Sequence, residues 1–146
     1  MAVERILVVG NGGRENALAW ALARSPQQPQ VWISPGNGAS SAIPGCTVLK
    51  HAASDAEALA SCCQTLGIDL AVIGPEAPLA AGLADQLRSA GIAVFGPGAD
   101  GAQLEASKEW AKTLMQQAGV PTAGFWVATS AEQGQAIVQE QGKAGG

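Results

Sequence analysis

The run Gly10-Asn11-Gly12-Gly13-Arg14-Glu15 is the stretch of this chain best suited to chemistry. It follows a short apolar run, Arg5–Val9, and leads into a segment rich in Ala and Leu. A glycine-rich turn between a strand and a helix presents backbone N–H groups that have no helical partner. They sit at the positive end of the helix dipole and suit an anion. Glycines let that backbone approach a ligand closely, and Arg14 adds a planar donor matched to phosphate. The segment reads as a site for an anionic small molecule, most simply a phosphate ester, using Asn11, Gly12, Gly13 and Arg14. The plainer alternative is a tight turn with a surface arginine.

Two features count against a dinucleotide. The G-x-G-x-x-G fingerprint requires glycine where Glu15 stands, and a carboxylate repels a pyrophosphate. The fingerprint also expects an acidic residue near the end of the second strand, but residues 27–42 contain no Asp or Glu. Glu15 fits better beside an amine or sugar hydroxyls, or simply as a favourable charge in the first helical turn.

Three further segments carry candidates. Gly74-Pro75-Glu76-Ala77-Pro78-Leu79 lies just past an apolar run, and its two prolines stiffen the turn that holds Glu76. In a parallel sheet that end faces the same crevice as Asn11 and Arg14; otherwise Glu76 is an exposed residue of a helix-entry loop. Pro35-Gly36-Asn37-Gly38 falls on the same edge, where Asn37 offers both donor and acceptor, although Asn-Gly is also ordinary turn chemistry. Lys108 lies in Leu104-Glu105-Ala106-Ser107-Lys108, and most helix lysines are simply solvated. His51 is the only histidine and has no acid–base partner near it in sequence.

The elements that position these residues alternate. Strands are expected at Arg5–Val9, Val31–Ser34, Thr47–Leu49, Leu70–Ile73 and Ala93–Phe95. Helices are expected at Arg14–Arg24, from Ser54 to about Leu66, and at about Leu79–Ala90. A Ser54–Glu57 capping box opens the second helix, and Gly67 closes it. This alternation predicts an open parallel sheet with helices on both faces. After Pro97 the pattern changes to a helix at Gln103–Ala118, a strand at Gly124–Ala128, and a helix from a Ser130–Gln133 capping box to about Glu140. These read as the start of a second, incomplete unit. The expected organisation is an N-terminal α/β substrate-binding domain over 1–101, a helical linker over 102–122, and the beginning of a second domain over 123–146.

Composition narrows the function classes. Charged residues make up 14% of the 146 and the net charge is −4. The eight basic residues are scattered, so no nucleic-acid footprint is expected. The apolar runs are too short to span a bilayer, and no signal peptide is read at the N-terminus. Cys46, Cys62 and Cys63 lack metal-ligand spacing and are expected to serve core packing in a reduced, cytoplasmic protein.

Taken together, VVGNGGRENALAWALARSP, SPGNGAS, DLAVIGPEAPLAAGLAD and VFGPGADGAQLEASKEWAKTLMQQAGVPTA resemble the phosphoribosylamine–glycine ligase (glycinamide ribonucleotide synthetase) family over about the first 125 residues. The resemblance implies a Rossmann-like domain preceding an ATP-grasp region. It also implies an ATP- and Mg²⁺-dependent ligase of purine biosynthesis that joins glycine to 5-phosphoribosylamine, working as a cytoplasmic monomer. By match to the family, Gly12, Gly13 and Arg14 take the substrate phosphate, and Glu15 and Glu76 lie near its polar groups. Asn11 and Asn37 complete the substrate site, and Lys108 faces ATP phosphates. No catalytic or metal-binding residue is expected in this stretch. Two departures stand out: Asn16 where the family usually has His, and PGNGAS where it reads PGNAGT. The alternatives are the N-terminal domain of another ATP-grasp ligase or carboxylase, or a non-catalytic module that binds phosphorylated metabolites.

Overall fold

The computed structural model describes residues 3–144. The chain divides into two compact units, Met1–Ala106 and Ser107–Gly146.

In the first unit five strands form one parallel sheet in the order β3-β2-β1-β4-β5: β1 Arg5–Gly10, β2 Gln30–Pro35, β3 Cys46–Val48, β4 Leu70–Ile73 and β5 Ala93–Phe95. Central strand β1 pairs Val9 with Ser34 on one side and with Ile73 on the other. Its run Ile6–Val9 is at most 4% exposed. That explains why the strand is apolar without alternation: both of its faces are covered. Leu7 and Val9 point into a core with Leu59, Cys63, Ala71, Ile73, Leu83 and Leu87, while Ile6 and Val8 join Ala19, Val31, Ile33 and Val72 on the opposite face.

The helices are α1 Gly13–Ala23, α2 Ala56–Leu66, α3 Glu76–Ala80, α4 Leu83–Ser89 and α5 Ala99–Ala106. The buried stripe of α1 is Glu15 and Ala19, flanked by half-buried Leu18, Leu22 and Ala23. Ala17 and Ala21, on the same helix, are exposed. Asp55, not Ser54, caps α2: its carboxylate accepts from Ala58 N–H at 3.0 Å. The single helix expected at about Leu79–Ala90 is two, because Gly82 turns left-handed (φ 87°) between α3 and α4. Only Gly takes that conformation cheaply.

The second unit contains α6 Lys108–Gln117 and α7 Ala131–Ala144. Ser107 interrupts the helix expected over Gln103–Ala118, and its hydroxyl accepts from Trp110 N–H and restarts the helix as α6. Gly124–Ala128 forms no strand; a lone strand has no neighbour to satisfy its backbone. At the start of α7 Ser130 accepts from Gln133 N–H, but the Gln133 amide oxygen reaches back to Thr129 N–H rather than to Ser130.

Of the three cysteines expected to pack in the core, Cys63 is buried, and burial pushes its thiol up to about 11; half-buried Cys46 packs against the core on the other face of the sheet, and Cys62 is only half-buried. The described residues hold no helix long and apolar enough to cross a membrane.

Asp69 ties the start of β1 to the start of β4, accepting from Glu4 N–H and Arg5 N–H at 2.9 Å each. These two bonds hold its carboxyl below the usual carboxylate range. A folded-state value below the unfolded one, about 3.9, adds stability above that pH and loses it as pH falls through the depressed value. Thermal melts of wild type and D69N are therefore expected to differ most between pH 5 and 7. The two curves should converge on acidification towards pH 2. A gap that widened in acid would reverse the assignment.

Candidate functional site

The strand order reverses between β1 and β4, because β1 leads outward to β2 and β3 while β4 leads the other way to β5. A crevice opens beyond the carboxyl ends of strands at such a point. Here it lies between the β1–α1 turn (Gly10–Gly12) and the β4–α3 turn (Gly74-Pro75). A cleft of about 500 Å³ occupies that edge. Gly10 and Asn11 form one wall, with Pro35 beside them and Pro75, Ala77 and Pro78 opposite. Ser54, Leu83 and Gln86 complete it from the second shoulder of the sheet. The lining carries no charge, so it suits an uncharged moiety, with Asn11, Ser54 and Gln86 as polar contacts. Sequence reasoning did not single out Ser54 or Gln86. Their only signal is position, since Ser54 precedes α2 on the same sheet edge.

The charged candidates meet beside Gly74, next to the lining residue Pro75. Arg14 Nε donates to Glu15 Oε1 at 2.9 Å, and Arg14 Nη2 donates to the Gly74 carbonyl at 2.5 Å. Glu76 Oε2 lies 3.8 Å from Nη2. The Glu15 hydrogen bond and charge raise the Arg14 pKa above its ordinary value, with Glu105 and Glu76 adding and desolvation opposing. Among the described residues no partner meets Nη1. Arg14 therefore bridges the two turns and leaves one amino group without a partner among the described residues. Glu76, the first residue of α3, is half exposed beside it.

Glu15 is 3% exposed, and its Oε2 accepts from Gly12 N–H at 2.8 Å. The structure thus places it inside the turn. Asn37 Nδ2 donates to the carbonyls of Asn11 and Gly12 at 3.1 and 3.3 Å, and Asn37 Oδ1 accepts from Ala39 N–H. One side chain closes its own turn and ties the β2 loop to the β1 loop. Asn16 Oδ1 accepts from the buried Ser40 hydroxyl at 2.8 Å, which gives this asparagine a structural partner. Gly13 is exposed, and a Cβ built there would meet nothing within 4 Å. Lys108 is an exposed residue at the start of α6 in the second unit. His51 contributes its backbone carbonyl to Ser34 Oγ at 2.7 Å.

Known proteins resemble this chain in sequence and fold. A family model described as phosphoribosylglycinamide synthetase, N domain, matches residues 4–105. A phosphoribosylamine–glycine ligase from Nostoc sp. is 49% identical over 138 residues, covering 94% of this chain and 32% of the relative. The human trifunctional purine biosynthetic protein adenosine-3 is 46% identical over 129 residues, covering 88% of this chain and 13% of the relative. The crystal structure of phosphoribosylamine–glycine ligase from Thermotoga maritima superposes with a TM-score of 0.65 at 29% identity, covering 93% of this chain and 30% of that one. A biotin carboxylase domain of a single-chain bacterial carboxylase reaches the same TM-score at 23% identity, which shows shared fold alone. The chain spans about a third of the length of the single-function ligases it matches. Because that family model spans well over half of the chain, residues 4–105 of 146, the chain belongs to the phosphoribosylglycinamide synthetase family and carries its N domain.

Proposed function

We infer that this chain is the substrate-holding part of a ligase that joins glycine to 5-phosphoribosylamine at the expense of ATP. The observation that carries the reading is the crevice at the β1/β4 switch point, whose two turns Arg14 bridges by its bond to the Gly74 carbonyl, in a chain whose residues 4–105 match the family's N domain. The phosphate lies against the start of α1, where the Gly13 and Arg14 N–H groups and Arg14 Nη1 have no partner among the described residues. Gly12 N–H is not part of that set, being taken by Glu15. Asn11 and the uncharged cleft receive the ribose, and Glu76 faces its hydroxyls or amine. Asn37 and Glu15 hold the turn that presents these groups.

A carboxylate is a poor electrophile, so the reaction runs in two steps. A glycine carboxylate oxygen takes the γ-phosphoryl of ATP, releasing ADP. The ribosylamine nitrogen then attacks the acyl phosphate carbon, loses a proton and expels phosphate, leaving an amide. The part played here is to fix that nitrogen by gripping the sugar phosphate behind it. The described residues hold no cluster of three His, Cys, Asp or Glu side chains that could bind a metal. We therefore assign Mg²⁺ and most of the ATP contacts to the part of the relatives that this chain does not span, with Lys108 as a contact to the ATP phosphates. On this reading residues 1–101 bind substrate, 102–122 link, and 123–146 begin the ATP-grasp region. The protein works in the cytoplasm as a monomer on small molecules, with no nucleic-acid or membrane partner.

The test is a chimera in which this chain replaces the matching third of the Nostoc sp. ligase. The chimera is expected to release ADP only when glycine and phosphoribosylamine are both present. A folded chimera that hydrolysed ATP without regard to phosphoribosylamine would contradict the assignment.

A further inference from the structure

Glu15 is the only charged side chain buried among the described residues. A buried carboxylate is costly unless its oxygens are met, and both are: Oε2 by Gly12 N–H, Oε1 by Arg14 Nε. Three glycines converge on it. A Cβ on Gly12 would stand 2.7 Å from Oε2, and one on Gly10 or Gly74 would fall on the Glu15 Cγ and Cδ atoms. These glycines come from the end of β1, the turn after it and the end of β4, on both sides of the switch point. Gly13 alone in this group faces open space.

We propose that Glu15 is a positioning residue rather than a substrate contact. Its carboxylate fills the socket left by Gly10, Gly12 and Gly74, locks the two strand ends together, and aims Arg14 across Gly74 towards Glu76. The proposal rests on the N-domain reading only for what Arg14 faces. It gives the glycine pattern a different cause from ligand approach, because three of the four glycines make room for an internal side chain. It also accounts for glutamate at the third-glycine position of a dinucleotide turn, since Glu15 consumes the Gly12 N–H that a pyrophosphate needs.

A steric cycle tests this. Gly12 and Gly74 have ordinary backbone conformations, so alanine there probes space alone, whereas Gly10 (φ 140°) is strained for any side chain. In the 146-residue chain G74A and G12A are each expected to lower the melting temperature by about 5 °C or more. In an E15A background, itself less stable, the same alanines should cost about 1 °C or less. A G74A chain that folds only once E15A is added is the same result in stronger form. Penalties that persist undiminished beside E15A, or single alanines that melt like wild type, would overturn the proposal. A second readout needs no variant that could fail to fold. The Arg14 Nε–H proton of the wild-type chain should be protected from solvent exchange in ¹⁵N-resolved spectra; exchange as fast as in a free arginine would also overturn it. No sugar phosphate enters either experiment, so failure to bind one would leave these outcomes unchanged.

Discussion

Residues 1–146 assayed alone with ATP, Mg²⁺, glycine and phosphoribosylamine generated in situ are expected to release no glycine-dependent ADP. The first unit closes a sheet and presents a binding edge. Activating glycine needs more: ATP must be held in line with the carboxylate, with metal ions across the transferring phosphates. The described residues offer no metal-binding cluster, and Lys108 is a single exposed cation. Positioning supplies roughly 7–11 kcal/mol of such a barrier. Its loss corresponds to five or more orders of magnitude, so turnover should be absent rather than slowed. Glycine-dependent ADP above a no-protein control would show that the site had been assigned to the wrong part of the relatives.

Leu7→Ala is expected to be the most damaging of the simple core truncations. Leu7 is fully buried on the central strand, in one core cluster with Leu59 from α2 and Leu87 from α4, both also fully buried. β2 and β4 flank it on either side, so the surroundings cannot collapse into the space. Deletions of this kind cost about 2–5 kcal/mol, a large share of a typical domain's 5–15 kcal/mol. Urea unfolding should show a midpoint shift of that size with an unchanged slope. Trp20→Ala is the control: half of that side chain is exposed, and the change should stay within about 1 kcal/mol. A Leu7→Ala loss no larger than the control would mean that the core lies elsewhere.

Much of this fold could be read from the chain because its signals were local. Unbroken apolar runs mark strands covered on both faces, and the glycines and prolines after them mark the edge where the crevice forms. The breaks were harder. Gly82 is one residue in an otherwise helical stretch, and only its φ of 87° divides α3 from α4. Ser107 sits between Ala106 and Lys108 in a segment that reads as continuous helix until its hydroxyl is seen accepting from Trp110 N–H. The least legible feature was the inside of the turn. Glu15, one residue past Arg14, looked like a group facing a ligand. Its burial depends on Gly74, far along the chain and brought close by the pairing of β1 with β4. Asn37 likewise reads as ordinary turn chemistry until the two carbonyls it reaches in the β1 loop are in view.

Calorimetric titration of ribose 5-phosphate into residues 1–146 shows whether this chain grips a sugar phosphate at the β1/β4 crevice. Ribose, inorganic phosphate and NAD serve as comparisons, and R14A as the site probe. Saturable binding of ribose 5-phosphate, weaker binding of either half alone, and no specific signal with NAD are expected. The affinity of R14A should be about ten- to a hundredfold lower, the effect of losing one charge-assisted contact. Equal affinities for the wild type and R14A, or NAD binding more tightly than ribose 5-phosphate, would contradict it.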